Sequence, residues 1–190
     1  MDNFGLYWEI GLAHIFDTSA YDHLMFIIAL SATYRWLDWD KVIVLLTSFT
    51  IGHSLTLAIS TLTTFSMDQD WVEALIPLTI LFTCVSNLFS QVHTINRRNS
   101  TGKYVMAVFF GLIHGLGFSG YLKSILPVED NVLWPLIAFN LGIEVAQILI
   151  VLTFLVITFC ALQLAKINRR EWVVGVSCFI SALAIMMLTA

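Results

Sequence analysis

Charge is what this sequence has least of. Lys and Arg number 9 and Asp and Glu 13 among 190 residues, 12% in all, about half the share of a soluble domain. That scarcity, with 58% hydrophobic residues and a mean hydropathy of +0.86, excludes a water-soluble globule and makes the chain an all-α integral membrane protein. Cysteine is scarce too. Cys84, Cys160 and Cys178 stand singly inside apolar runs, without the paired spacing of zinc sites or of a disulfide framework. They read as small buried hydrophobes. No basic stripe runs along the chain, so no nucleic-acid partner is expected; the partners to look for are the lipid bilayer and a small ligand. The start, MDNFGLYWEI, lacks a basic n-region and is expected to be retained.

What is there is a series of apolar segments of the length that crosses a hydrocarbon core about 30 Å thick. The run from Phe4 to Tyr34 is longer than one crossing needs and is interrupted at Asp17-Thr18-Ser19. Ser19 followed by Asp22 fits a capping box, which predicts a new helix or half-helix over 20–34. Further spans are predicted at 41–64, 71–93, 104–126, 132–164 and 172–188, about six crossings in all. With six, alternate loops gather Arg35, Lys41, Arg97, Arg98, Lys103, Lys166, Arg169 and Arg170 on one side and leave only Lys123 on the other. The positive-inside bias then puts both termini outside a cytoplasmic membrane.

Two sequence echoes divide the chain. Gly11-Leu12-Ala13-His14 with Ser19-Ala20-Tyr21 returns as Gly111-Leu112-Ile113-His114 with Ser119-Gly120-Tyr121, and Phe49-Thr50-Ile51-Gly52-His53 returns as Phe139-Asn140-Leu141-Gly142-Ile143. The order is the same in both halves. A single transmembrane domain is expected, with a first repeat over about 4–93, a cytoplasmic linker over 94–103 and a second repeat over about 104–190. Three spans per half, an odd number, turn the second repeat upside down. Inverted repeats are a transporter architecture, with the site near the midplane where helices break. Asp17 to Ser19 in one half and Gly115, Gly117 and Gly120 in the other are the predicted breaks.

Ionisable groups at membrane depth are costly and are read first as functional. His14, His23, His53, His114, Asp22 and Glu144 fall inside apolar segments, whereas His93 borders the polar linker and Glu73 sits among acidic loop residues, an exposed position. On one continuous helix His14 and His23 would lie roughly 13 Å apart along the axis and on opposite faces. A break at Asp17 to Ser19 lets His14 fold back toward Asp22 and His23. The dipole of the new helix start would favour the Asp22 carboxylate. Asn140, Glu144 and Gln147, spaced four and three apart, form a polar stripe expected to face the interior. Imidazole and carboxylate without thiolate suit nickel, cobalt, zinc, iron(II) or manganese(II) and argue against copper(I). Phenylalanine and tryptophan read as lipid-facing and interfacial.

The combination GLAHIFDTSAYDHLMF, FTIGHSLTL, FGLIHGLGFSG and FNLGIEVAQ resembles the HupE/UreJ family of small membrane proteins, regarded as metal permeases and grouped with LysE-type transporters. The resemblance spans His14 to Gln147 and implies six spans in a three-plus-three arrangement. It places family motif positions on His14, Asp22 and His23, on His53, on His114, and on Glu144 and Gln147. Two departures from the nickel-permease branch stand out. Seven residues separate His14 from Asp22 where that branch has five, and no carboxylate follows His114 until Glu129.

The leading expectation is a divalent metal-ion permease with His14, Asp22, His23, His53, His114 and Glu144 as site or path, supported by Asp17, Ser19, Asn140 and Gln147. One alternative is an intramembrane zinc-type metalloenzyme, three histidines and an acid holding zinc with a position open for water; no nucleophile is recognisable, since Ser54 and Ser119 adjoin His53 and His114 in sequence only. The other is a metal-free structural subunit, alone or as a homo-oligomer, whose histidines tie helices together.

Overall fold

Apolar runs parted by short polar linkers fold into helices in the computed structural model, which describes residues 4–17, 21–63, 65–92, 100–125 and 132–189. They are α1 (Phe4–Phe16), α2 (Asp22–Ser31), α3 (Trp39–Leu62), α4 (Gln69–Val92), α5 (Ser100–Ile125), α6 (Leu133–Gln163) and α7 (Arg169–Thr189), with a 3-10 turn at Trp36–Asp38. No strand occurs among the described residues. From α3 onward, five helices are long and apolar enough to cross a membrane, and each begins and ends within four residues of the span read from the sequence. Helices α1 and α2, of 13 and 10 residues, are each too short to cross alone.

The first run is broken where its polar residues stand. Helix α1 ends at Phe16, Asp17 is non-helical, and α2 opens at Asp22. The start of α2 differs from the expected capping box: Tyr21 occupies the N-cap position and makes no side-chain cap bond, while Ser19 lies outside the described residues. The far end comes early as well, at Ser31. There the side-chain amide of Asn87 on α4 donates to the Ala29 carbonyl at 2.7 Å, satisfying one of the carbonyls a helix end leaves open.

The second expected break does not occur. Helix α5 runs unbroken through Gly115, Gly117 and Gly120. Its glycines at 111 and 115 serve close approach to α3 instead. A Cβ on Gly111 would collide with the Phe49 carbonyl oxygen, and one on Gly115 would come within 2.6 Å of that of His53. In return Gly52 of α3 admits the Val108 carbonyl of α5, and the Thr56 hydroxyl lies 2.9 Å from the Leu112 carbonyl oxygen. Helices α1 and α6 meet in the same way, Gly11 against the Phe139 carbonyl and Gly142 against that of Trp8. Small residues are what let membrane helices approach closely enough for dispersion to hold them, since lipid removes the hydrophobic drive between helices.

Around these two crossings lie two apolar clusters, one centred on Tyr7, Ile15, Leu136, Phe139 and Ile143, the other on Phe26, Phe49, Ile76, Ile80 and Phe110. At one end of the bundle the Arg169 guanidinium donates to the Thr33 carbonyl, and the Lys103 ammonium sits 5.3 Å from the centre of the Tyr34 ring. At the other end Lys123 donates to the Phe65 carbonyl at 3.0 Å and the Tyr7 hydroxyl to that of Ile125 at 3.1 Å. Trp36, Trp39, Trp71 and Trp134 are exposed near helix starts, as membrane-interface tryptophans are.

Candidate metal centre

Each functional side chain is delivered by a local feature already described. His14 lies in the last turn of α1, and Asp22 and His23 open α2 beyond the break. His53 follows the glycine that brings α3 onto α5, and His114 precedes the glycine that brings α5 onto α3. The ring centres of His14 and His23 stand 4.6 Å apart, His23 and His114 5.2 Å, His23 and His53 5.6 Å, and His14 and His53 6.1 Å. His23 is the common member. Ligand atoms of His14, His23 and His53 all lie within 4.8 Å of one another, as do those of Asp22, His23 and His114.

Polar partners do not account for these rings. Five imidazole nitrogens, His14 Nε2, His23 Nε2, both nitrogens of His53 and His114 Nδ1, are buried without a hydrogen-bond partner. Leaving a buried polar atom unpaired costs about 1–3 kcal/mol. A neutral imidazole has one lone pair, so the four rings offer at most four nitrogen donors to a cation, one from each. The pairs that do form leave coordination open. His23 Nδ1 lies 3.1 Å from Asp22 Oδ1, so an ionised Asp22 accepts a hydrogen bond from Nδ1–H and leaves Nε2 as the lone pair. His114 Nε2 lies 3.0 Å from the Thr79 hydroxyl.

Aromatic rings wall the cluster. Phe118 sits 3.9 Å from the His14 ring and stacks on Phe139, while Phe26 and Phe49 lie 5.0 Å and 5.2 Å from His114. Phe26, Phe49 and Phe139 are thus core residues and not lipid-facing ones, contrary to their reading by type alone. They exclude water and lipid from the imidazoles. A separate apolar groove of about 340 Å³, bounded by Phe16, Leu24, Ile28, Ile150, Phe154 and Ile157, carries no metal-binding side chain.

The polar stripe of α6 faces α3. Glu144 accepts from the Thr47 hydroxyl at 2.8 Å, Gln147 from Thr50 at 3.1 Å, and Asn140 from Ser54 at 2.6 Å. Neither three-residue ligand group includes Glu144. Asp17 lies exposed just past α1, and Glu73 is exposed; Ser19, His93 and Glu129 lie outside the described residues. The hydroxyls that adjoin the histidines in sequence are turned elsewhere, Ser54 to Asn140 and to the Thr50 carbonyl, and Ser119 to the Leu116 carbonyl. Sequence reasoning passed over Thr79 and the three buried phenylalanines.

Comparison with known proteins returns no match among curated proteins and none among solved structures. The sequence model described as HupE / UreJ protein matches residues 1–190, the whole chain, and the protein belongs to that family.

Proposed function

We propose that the protein is a divalent metal-ion permease of the cytoplasmic membrane, with nickel, cobalt or another transition metal as substrate. The observation that carries this reading is the set of five unpartnered imidazole nitrogens gathered where the α1–α2 break meets the glycine crossing of α3 and α5. Family membership adds an association with nickel and cobalt transport. The ion is held by His14, His23 and His53 or by Asp22, His23 and His114, with nitrogen and oxygen donors that suit nickel, cobalt, zinc, iron(II) or manganese(II). Glu144, Asn140 and Gln147 line the path along the α3–α6 seam.

The transport mechanism rests on reading the chain as one transmembrane domain of two inverted halves, about 4–93 and 104–190. Helices α1 and α2 in series make a sixth, broken crossing. The glycine contacts support this, because each has a counterpart in the other half. Gly11 on Phe139 matches Gly111 on Phe49, and Gly142 on Trp8 matches Gly52 on Val108. The two sequence echoes relate Gly11 to Gly111, Gly52 to Gly142 and Phe49 to Phe139, and Trp8 and Val108 stand three residues before the first echo in each half. The tight pairs α1–α6 and α3–α5 move as units, and the hydroxyl–amide seam between α3 and α6 is the contact that shifts to expose the site alternately. Under the positive-inside rule, Lys103 and Arg169 at one end against Lys123 at the other support a cytoplasmic position for the first end, with both termini outside.

The test is metal analysis of detergent-purified protein, dialysed without chelator, as wild type, His53→Ala and a His23→Ala/His114→Ala double variant. The proposal expects Ni²⁺ or Co²⁺ binding in the wild type and loss in the double variant, which removes a member of each group; loss in His53→Ala as well assigns the ion to the first group, and retention there assigns it to the second. Equal binding in all three would remove the site. Tight, stoichiometric zinc would favour the enzyme alternative, for which His14, His23 and His53 supply the three-ligand pattern of a catalytic zinc.

A further inference from the structure

We propose that Thr79 is the positioning residue for His114: its hydroxyl oxygen accepts a hydrogen bond from Nε2–H of that imidazole, which keeps the proton on Nε2 and leaves Nδ1 as the lone pair presented to the ion. The inference rests on the metal-site reading above and follows from counting protons. A threonine hydroxyl has one proton to give and lone pairs with which to accept. Thr79 Oγ1 lies 2.7 Å from the Ile76 carbonyl oxygen, which carries no proton, so the hydroxyl proton is committed there. The second contact of Thr79 Oγ1, 3.0 Å to His114 Nε2, must then be supplied by the ring as Nε2–H.

A neutral imidazole with a proton on Nε2 has a bare Nδ1. His114 Nδ1 is the nitrogen that is buried without a partner, and His114 belongs with Asp22 and His23 to one group of ligand atoms. Thr79 and His114 are both buried, so bulk water does not compete for the bond. The neighbouring hydroxyl, Thr83, bonds the Thr79 carbonyl and leaves Oγ1 of Thr79 to His114. The arrangement mirrors that of His23, where Asp22 accepts from Nδ1–H and Nε2 is free. The two second partners therefore fix opposite tautomers in adjacent rings. Such outer partners orient a ligand and raise its basicity, and losing one costs about 10–100-fold in metal affinity.

The experiment uses full-length protein in lipid nanodiscs, with ¹⁵N-labelled histidine, as wild type, Thr79→Val, Thr79→Ser and His23→Ala. A His114→Gln sample assigns the His114 resonances. Without metal, wild-type His114 should carry its proton on Nε2, and Ni²⁺ titration should show Thr79→Val weakened about 10–100-fold. Thr79→Ser, which restores the hydroxyl, should recover both the tautomer and the affinity. A proton on Nδ1 of wild-type His114, undiminished Ni²⁺ affinity in Thr79→Val, or a Ser variant as weak as the Val variant would each overturn the inference. Should Thr79→Val not fold, the wild-type tautomer and the serine variant decide it. Wild type and His23→Ala binding Ni²⁺ equally would instead overturn the metal-site reading, because His23 belongs to both ligand groups, and the wild-type tautomer would still decide the role of Thr79.

Discussion

Replacing Gly115 by alanine tests whether the site is held by the α3–α5 crossing. The new Cβ would stand 2.6 Å from the His53 carbonyl oxygen and 3.1 Å from Thr56 Cβ. A carbon comes no closer than roughly 3.3 Å to a carbonyl oxygen, so the α3 backbone at His53 must yield by about 0.7 Å. The obstacle is backbone, which no rotamer change relieves. Overpacking of this kind costs about 1–3 kcal/mol. A displacement beyond about 0.5 Å is also enough to spoil a ligand constellation. Gly175 of α7 is the control, because a Cβ there meets nothing within 4 Å. Thermal unfolding in detergent, with and without Ni²⁺, should show Gly115→Ala lowered in melting temperature and deprived of most of its metal-induced stabilisation. Gly175→Ala should match or slightly exceed wild type, as alanine is the better helix former by about 0.5–1 kcal/mol. Equal behaviour of the two variants would refute the claim that glycine contact sets the position of His53.

Two further outcomes follow from particular side chains. Ser177 is buried on α7 with its hydroxyl unpartnered, so Ser177→Ala should raise the melting temperature by relieving about 1 kcal/mol, and a lowered one would count against that packing. Glu144 bonds Thr47 and stands outside both ligand groups, so Glu144→Gln should leave equilibrium Ni²⁺ affinity within about twofold of wild type while slowing uptake; lost binding would make it a ligand.

Much of the fold is legible in the sequence because the bilayer allows few choices. A run of apolar residues long enough to cross must be a helix, and α3 to α7 begin and end close to where the polar linkers predict. The interruption at Asp17 was legible for the same reason, and with it the meeting of His14 and His23. Glycine was ambiguous. In one chain it marks either a break or a close approach, and only the helix packed opposite decides; Gly115 proved to be an approach. Phenylalanines were unreadable by type, since a lipid-facing and a buried ring have the same hydropathy, and only the folded neighbours distinguish Phe26 or Phe139 from the exposed Phe109. Thr79 left no signal, because threonines in membrane helices routinely bond their own backbone, as Thr61 and Thr153 do here. The glycine echoes, by contrast, were visible as sequence and reappear as matched contacts between helices.

The most direct test of the central claim is uptake by proteoliposomes. Purified wild type and His23→Ala, reconstituted at equal density and shown by thermal unfolding to be equally folded, would be given Ni²⁺, Co²⁺, Zn²⁺, Fe²⁺ or Mn²⁺ outside, with internal metal followed over time. His23 is the side chain shared by both ligand groups, so its loss disables either one. The account predicts saturable entry of at least one of these ions with wild type and entry no faster than protein-free vesicles with His23→Ala. Entry at the same rate with both proteins, or with neither, would contradict it.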